Sequence, residues 1–192
     1  MALDLRPALF ALLGIASASC RLSNPHGKAA SESYFDDNPD RPTVGDIPPR
    51  SMETVVESHN RKRKRHCAKP LEWSAKLADV AQGWADKLAK RGCPLEHNDS
   101  EYGENLAVGT ASVMTGERAV DIWYDENDKY KYGPNEASSE TGHFTQVVWR
   151  KSRRLGCGTA ECGDKRLWVC NYDPPGNMKG DYQDEVQPTS CR

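Results

Sequence analysis

The stretch Gly142-His143-Phe144-Thr145-Gln146-Val147-Val148-Trp149, then Arg154-Leu155-Gly156-Cys157, then Cys170-Asn171-Tyr172-Asp173-Pro174-Pro175-Gly176-Asn177 carries the most local order in the chain. Apolar and β-branched pieces, Gln146 to Trp149, Leu155 to Thr159 and Leu167 to Tyr172, read as strands. Asp173-Pro174-Pro175-Gly176 ends the last of them, because proline cannot donate to a ladder and glycine permits the turn.

Upstream the period changes to that of helices. Met52, Val55, Val56 and His59 fall at helical spacing behind a Ser51 cap. Trp73, Leu77, Val80, Ala81, Trp84, Leu88 and Ala89 form an apolar stripe that Gly92 ends. A third helix is predicted over Thr115 to Tyr130, with Ala119, Val120, Ile122 and Trp123 inward. Helices followed by strands predict an α+β domain with helices packed on a small sheet.

The chain has 192 residues, 26 Lys and Arg against 28 Asp and Glu, and a net charge of -2. That balance argues against a nucleic-acid partner recruited by bulk charge. No apolar run beyond the N-terminus approaches the ~20 residues of a membrane-spanning helix. Residues 1–20 read as a signal peptide: Arg6, an apolar Ala8 to Ile15, then small residues from Ala16 to Ser19. Export implies an extracellular, disulfide-permissive location. A lipoprotein signal is the alternative, with Cys20 lipidated at the outer cell surface. Leaving Cys20 aside, six of the seven cysteines remain to pair. Residues 21–50 are polar and proline-punctuated and read as a disordered linker, leaving 51–192 as the domain. The run Arg61-Lys62-Arg63-Lys64-Arg65-His66 reads as a solvated helix C-terminus, where cations suit the dipole; an anionic-lipid site and a processing site are the alternatives.

His97, Glu104, Glu126 and His143 are the candidate functional residues. Seven, twenty-two and seventeen residues separate them, so spacing alone does not make a motif. Their context does more: Gly103-Glu104-Asn105 and Gly142-His143-Phe144 set each polar residue beside a glycine that permits close backbone approach. Asn98-Asp99-Ser100, next to His97, is a glycosylation sequon.

The quoted segments resemble the two signatures of the CAP superfamily, which holds cysteine-rich secretory proteins, antigen five and plant pathogenesis-related proteins. His59-Asn60 with Arg63, Leu71-Glu72-Trp73 and Tyr102-Gly103-Glu104-Asn105-Leu106-Ala107 match it in the right order. The resemblance covers residues 51–180 and implies an α-β-α sandwich with a small central antiparallel sheet. It implies a cavity tetrad of His97, Glu104, Glu126 and His143, with His59 structural. It implies disulfides Cys93–Cys162 and Cys157–Cys170, leaving Cys67 to Cys191. The expected function is a binding module for small apolar ligands, a fatty acid or sterol, or for a membrane surface, with a defence- or toxin-like role. Zinc is the expected cofactor, on His97 and His143, since two neutral imidazoles bind Zn²⁺ at ~2.0–2.1 Å. No reaction follows from the tetrad alone, and no catalytic residue is assigned. The alternative is a metal-dependent hydrolase or protease with Glu104 or Glu126 as base. In sterol-binding relatives a loop after the second tetrad Glu carries three aromatics. Tyr130 and Tyr132 supply two here, and Ala137 stands at the third position.

Overall fold

The computed structural model describes residues 48–133 and 137–191. The signal-peptide reading of residues 1–20, the fate of Cys20 and nearly all of the linker reading of 21–50 lie outside them.

Helix α1 (Arg50–Arg65) is followed by β1 (Glu72–Trp73), α2 (Ala75–Ala89) and β2 (Gly103–Thr110). Then come α3 (Gly116–Asp125), a 3-10 turn (Glu126–Lys129), α4 (Gly142–Val148), β3 (Arg154–Cys162), β4 (Lys165–Asp173) and a short α5 (Tyr182–Glu185). The strands lie in the order β1-β3-β4-β2. The two-residue β1 runs parallel to β3, and the other pairs are antiparallel.

Strand alternation separates two cores. Trp168, Cys170 and Tyr172 of β4 point toward α1, α3 and α4, into a cluster with Val55, Val120, Trp123, Phe144 and Val147. Leu167 and Val169 point the other way, toward Ala81, Ala85 and Leu88 of α2. One helix thus covers one face of the sheet and three cover the other, an α-β-α sandwich. Helix α2 lies directly on β3. A Cβ at Gly156 would sit 2.1 Å from the Ala78 nitrogen, so only glycine admits this backbone approach. Gln82 of α2 completes the contact, accepting from Thr159 N at 3.0 Å and donating to Thr159 O at 2.9 Å.

Ser74 caps α2 by accepting from Leu77 N, and Thr115 caps α3 by accepting from Arg118 N. Cys157–Cys170 crosses the β3–β4 register, Cys93–Cys162 ties the segment after α2 to the end of β3, and Cys67–Cys191 ties the segment after α1 to the C-terminal residues.

Five local readings change. Trp73, read as the head of the second helix's stripe, lies in β1, ahead of the Ser74 cap of α2. Gln146 to Trp149 is not a strand: Gly142–Val148 is helical. Phe144 through Val148 are all buried, so this part of α4 has no solvent-facing stripe, and its polar Thr145 and Gln146 lie inward among the apolar residues and hide the helical period. Helix α1 starts at Arg50 with Pro49 at its N-cap, and no side chain caps it. The predicted third helix splits at Asp125 into α3 and the 3-10 turn. Ile122 is exposed, because the buried stripe of α3 runs Ala119, Val120, Trp123, Tyr124.

Candidate functional site

Glu104 is the second residue of edge strand β2, and its carboxylate is almost wholly buried. Its Oε1 accepts from His97 Nδ1 at 2.8 Å and from the Asn98 backbone N–H at 2.9 Å. The His97 ring, on the segment between α2 and β2, is 64% exposed. The hydrogen bond from Glu104 raises the His97 pKa above its ordinary value, against a smaller opposing effect of burial. Glu104 Oε2 is buried and has no hydrogen-bond partner among the described residues.

Glu126 follows α3 and faces the start of α4. Its Oε1 meets His143 Nδ1 at 2.6 Å. Its Oε2 accepts from the backbone N–H groups of His143 at 3.0 Å and Phe144 at 3.1 Å. These donors have no partner inside a helix's first turn, so the carboxylate satisfies them while it holds the ring.

The tetrad is therefore two His–Glu dyads of the same polarity. Each ring donates Nδ1–H to a carboxylate, which leaves the lone pair of the neutral ring on Nε2. The dyads meet at β2: Glu104 holds His97, and the next residue, Asn105, donates its side-chain N–H to the His143 carbonyl at 3.1 Å. Asn105 and its partner Tyr172 were not singled out from the sequence, although both stand in quoted segments, Gly103-Glu104-Asn105 and Cys170-Asn171-Tyr172.

Among the described residues, no group of three or more His, Cys, Asp and Glu side chains is arranged to hold a metal ion. By donor chemistry, two imidazole nitrogens would suit only an open site completed by solvent, not a closed four-ligand site. Carboxylates that fix the ring tautomers are the outer partners such ligands need.

Tyr130 and Tyr132 sit against the core. Tyr130 is buried and packs on Phe144, with ring centroids 5.5 Å apart. Tyr132 stacks on His66 at 6.4 Å, and its hydroxyl donates to Asn127 Oδ1. Ala137 packs on the edge of the same core.

The basic run is not uniformly solvated. Arg61 pairs with Glu117 and Lys62 with Asp121 on α3, while Arg63 and His66 are buried. A surface groove of about 430 Å³ lies beside Asn60, Lys64, Cys67, Ala68, Lys69 and Pro70, and no tetrad residue lines it.

The pattern of the cysteine-rich secretory protein family (CAP) matches residues 56–172. Pathogenesis-related protein 1A of Nicotiana tabacum is 41% identical over 134 residues, 68% of this chain and 79% of the relative. Secreted protein RBT4 of Candida albicans is 41% identical over 136 residues, 67% of this chain and 36% of the relative. Among solved structures, venom allergen-like protein 4 of Schistosoma mansoni superposes with a TM-score of 0.60 at 26% identity, covering 74% of this chain and 99% of that one.

Proposed function

Since this chain belongs to the cysteine-rich secretory protein (CAP) family, we propose that it is an extracellular binding module of defence type. Its ligand is a small apolar molecule, and its dyads hold a divalent metal weakly. The carrying observation is the paired polarity of the dyads, with both Nε2 lone pairs free. The names of the tobacco and Candida relatives support the defence role and the location. No helix among the described residues is long and apolar enough to cross a membrane, which accords with this reading.

The geometry favours binding over hydrolysis. A general base needs a free carboxylate oxygen at a metal-bound water. Both oxygens of Glu126 are taken, and the free oxygen of Glu104 is buried.

When bound, Zn²⁺ would be held by His97 and His143. Two nitrogen ligands give a labile site, and a proton on either ring competes with the metal. The raised pKa of His97 brings that competition closer to neutral pH. Calorimetry at pH 7.5 should detect weak Zn²⁺ binding that fades as pH falls toward and below 6.5 and is lost in His143→Ala. Equal affinity in wild type and variant would remove the dyads as the site.

For the apolar ligand, the loop after Glu126 decides between sterol and fatty acid. An aromatic side chain buries ~150–250 Å², several kcal/mol at ~25 cal/mol per Å². Here Ala137 stands at the third aromatic position, and Tyr130 and Tyr132 are already packed on Phe144 and His66. We expect cholesterol to bind weakly, with a fatty acid held between the helices as the better ligand. Radiolabelled cholesterol should bind more tightly to Ala137→Phe than to wild type. Sub-micromolar affinity in wild type, unimproved by the substitution, would overturn the loop reading.

A further inference from the structure

We propose that Asn105 is a positioning residue that sets the gap between the two dyads, and that buried His59 on α1 acts on the site through it. Consecutive residues of β2 point to opposite faces of the sheet, so Glu104 and Asn105 reach the two dyads from one stretch of backbone. Asn105 has two amide hydrogens, and both are used. One goes to the His143 carbonyl at 3.1 Å and the other to the Tyr172 hydroxyl oxygen at 3.2 Å. Tyr172 lies 2.8 Å from His59 Nε2, and His59 Nδ1 lies 2.8 Å from the Val55 carbonyl.

The direction of every proton in this chain follows from its ends. The Val55 carbonyl can only accept, so His59 Nδ1 donates and its Nε2 accepts. The Tyr172 O–H therefore donates to His59 and takes the Asn105 N–H on a lone pair. A flipped Asn105 amide would set its oxygen against the His143 carbonyl oxygen, so one orientation is fixed. His59 and Tyr172 are wholly buried and Asn105 is 1% exposed, so water cannot replace any link.

The start of α4 is held at four backbone points, the N–H groups of His143 and Phe144 on Glu126, the carbonyl of Gly142 on Asn177 and the carbonyl of His143 on Asn105. Only the last ties it to the strand that carries Glu104. Without it, α4 loses its hydrogen bond to β2, and on the zinc reading the two imidazoles would no longer be held in place for one ion. The inference rests on the proposed two-imidazole zinc reading.

The test is Asn105→Leu, similar in size and without polar groups, with Tyr172→Phe as a milder variant that keeps the bond to His143. Zn²⁺ affinity is measured by calorimetry, and backbone amide exchange at His143 and Phe144 is followed by NMR without metal. Expected in Asn105→Leu are a ~10-fold or greater loss of zinc affinity and faster exchange at His143 and Phe144 than at the β3 and β4 amides. Tyr172→Phe should show the same pattern, smaller. A purely structural role would speed all globally exchanging amides together and leave zinc affinity intact, and that result overturns the proposal. If wild type binds no zinc, the metal reading fails, and the exchange pattern still decides the role of Asn105.

Discussion

Arg63→Ala should remove at least about 4–5 kcal/mol of folding stability. The guanidinium is wholly buried, and its partners are carbonyls. Nε donates to Lys69 O at 2.8 Å, Nη1 to Val147 O at 3.0 Å and Trp149 O at 2.8 Å, and Nη2 to Ser152 O at 2.9 Å. These lie after α1, at the end of α4 and in the turn into β3, so one side chain fastens three segments. Burial lowers its pKa to about 10, which keeps it charged at neutral pH. Hydrogen bonds to a charged group contribute ~1.5–3 kcal/mol each, and each buried carbonyl left unpaired costs ~1–3 kcal/mol. Truncation empties all four at once, in a protein whose total stability is expected near ~5–15 kcal/mol. Arg63→Lys should recover less than half of the loss, because an ammonium is a point charge that cannot span carbonyls on three segments. Urea denaturation at pH 7 measures both variants. A loss under about 1 kcal/mol in Arg63→Ala would show that these carbonyls find water or other donors.

Arg63 also marks where reading the sequence stops. Six basic residues in a row look like a solvated helix end, and charge alone does not tell that positions 63 and 66 turn inward while 61 and 62 reach α3. Burial of a charge depends on carbonyls from residues about 85 positions away, which no local pattern records. The stripe of α2 was legible because it packs by one face only, and β3 and β4 because their pieces are bounded by turn residues. Helix α4 was not legible, because Phe144 through Val148 are all buried, polar and apolar alike. For the site, the four tetrad residues were named from their signature context. The pairing of His97 with Glu104 spans only seven residues, whereas that of Glu126 with His143 depends on the approach of α4 across seventeen. Asn105 and Tyr172 escaped notice because a buried asparagine and tyrosine look like ordinary core polar residues until both ends of their hydrogen bonds are seen.

Acid should weaken the fold through His59, by about 3 kcal/mol between pH 6.5 and pH 4. Burial lowers its pKa from 6.5 to about 4, a larger effect than the hydrogen bond to Val55 that raises it. In that window the unfolded chain binds a proton that the folded chain refuses, so stability falls as pH falls. Above pH 6.5 both states carry a neutral ring and the contribution is constant; below about pH 4 both are protonated and the loss is complete. The difference of about 2.5 pKa units, at 1.36 kcal/mol each, sets the magnitude. His66, also lowered by burial, adds to the loss, whereas His97, raised by its hydrogen bond to Glu104, gains its stabilisation above pH 6.5 and is constant across this window. Carboxylates titrate over the same range, so the residue's own share is the difference in slope between wild type and His59→Gln. Urea denaturation at pH 7, 5.5 and 4.5 should give a flatter profile for the variant, which begins less stable at pH 7. The His59 ring signals should not titrate above about pH 4.5 in the folded wild type. A midpoint near 6.5 would mean that the ring reaches solvent and that the Val55–His59–Tyr172–Asn105 chain is not closed. The same proton is chemically disruptive: His59 Nε2 would become a donor facing the Tyr172 hydroxyl, which must then turn its own hydrogen away. Acid therefore strikes the fold and the seat of His143 at the same bond.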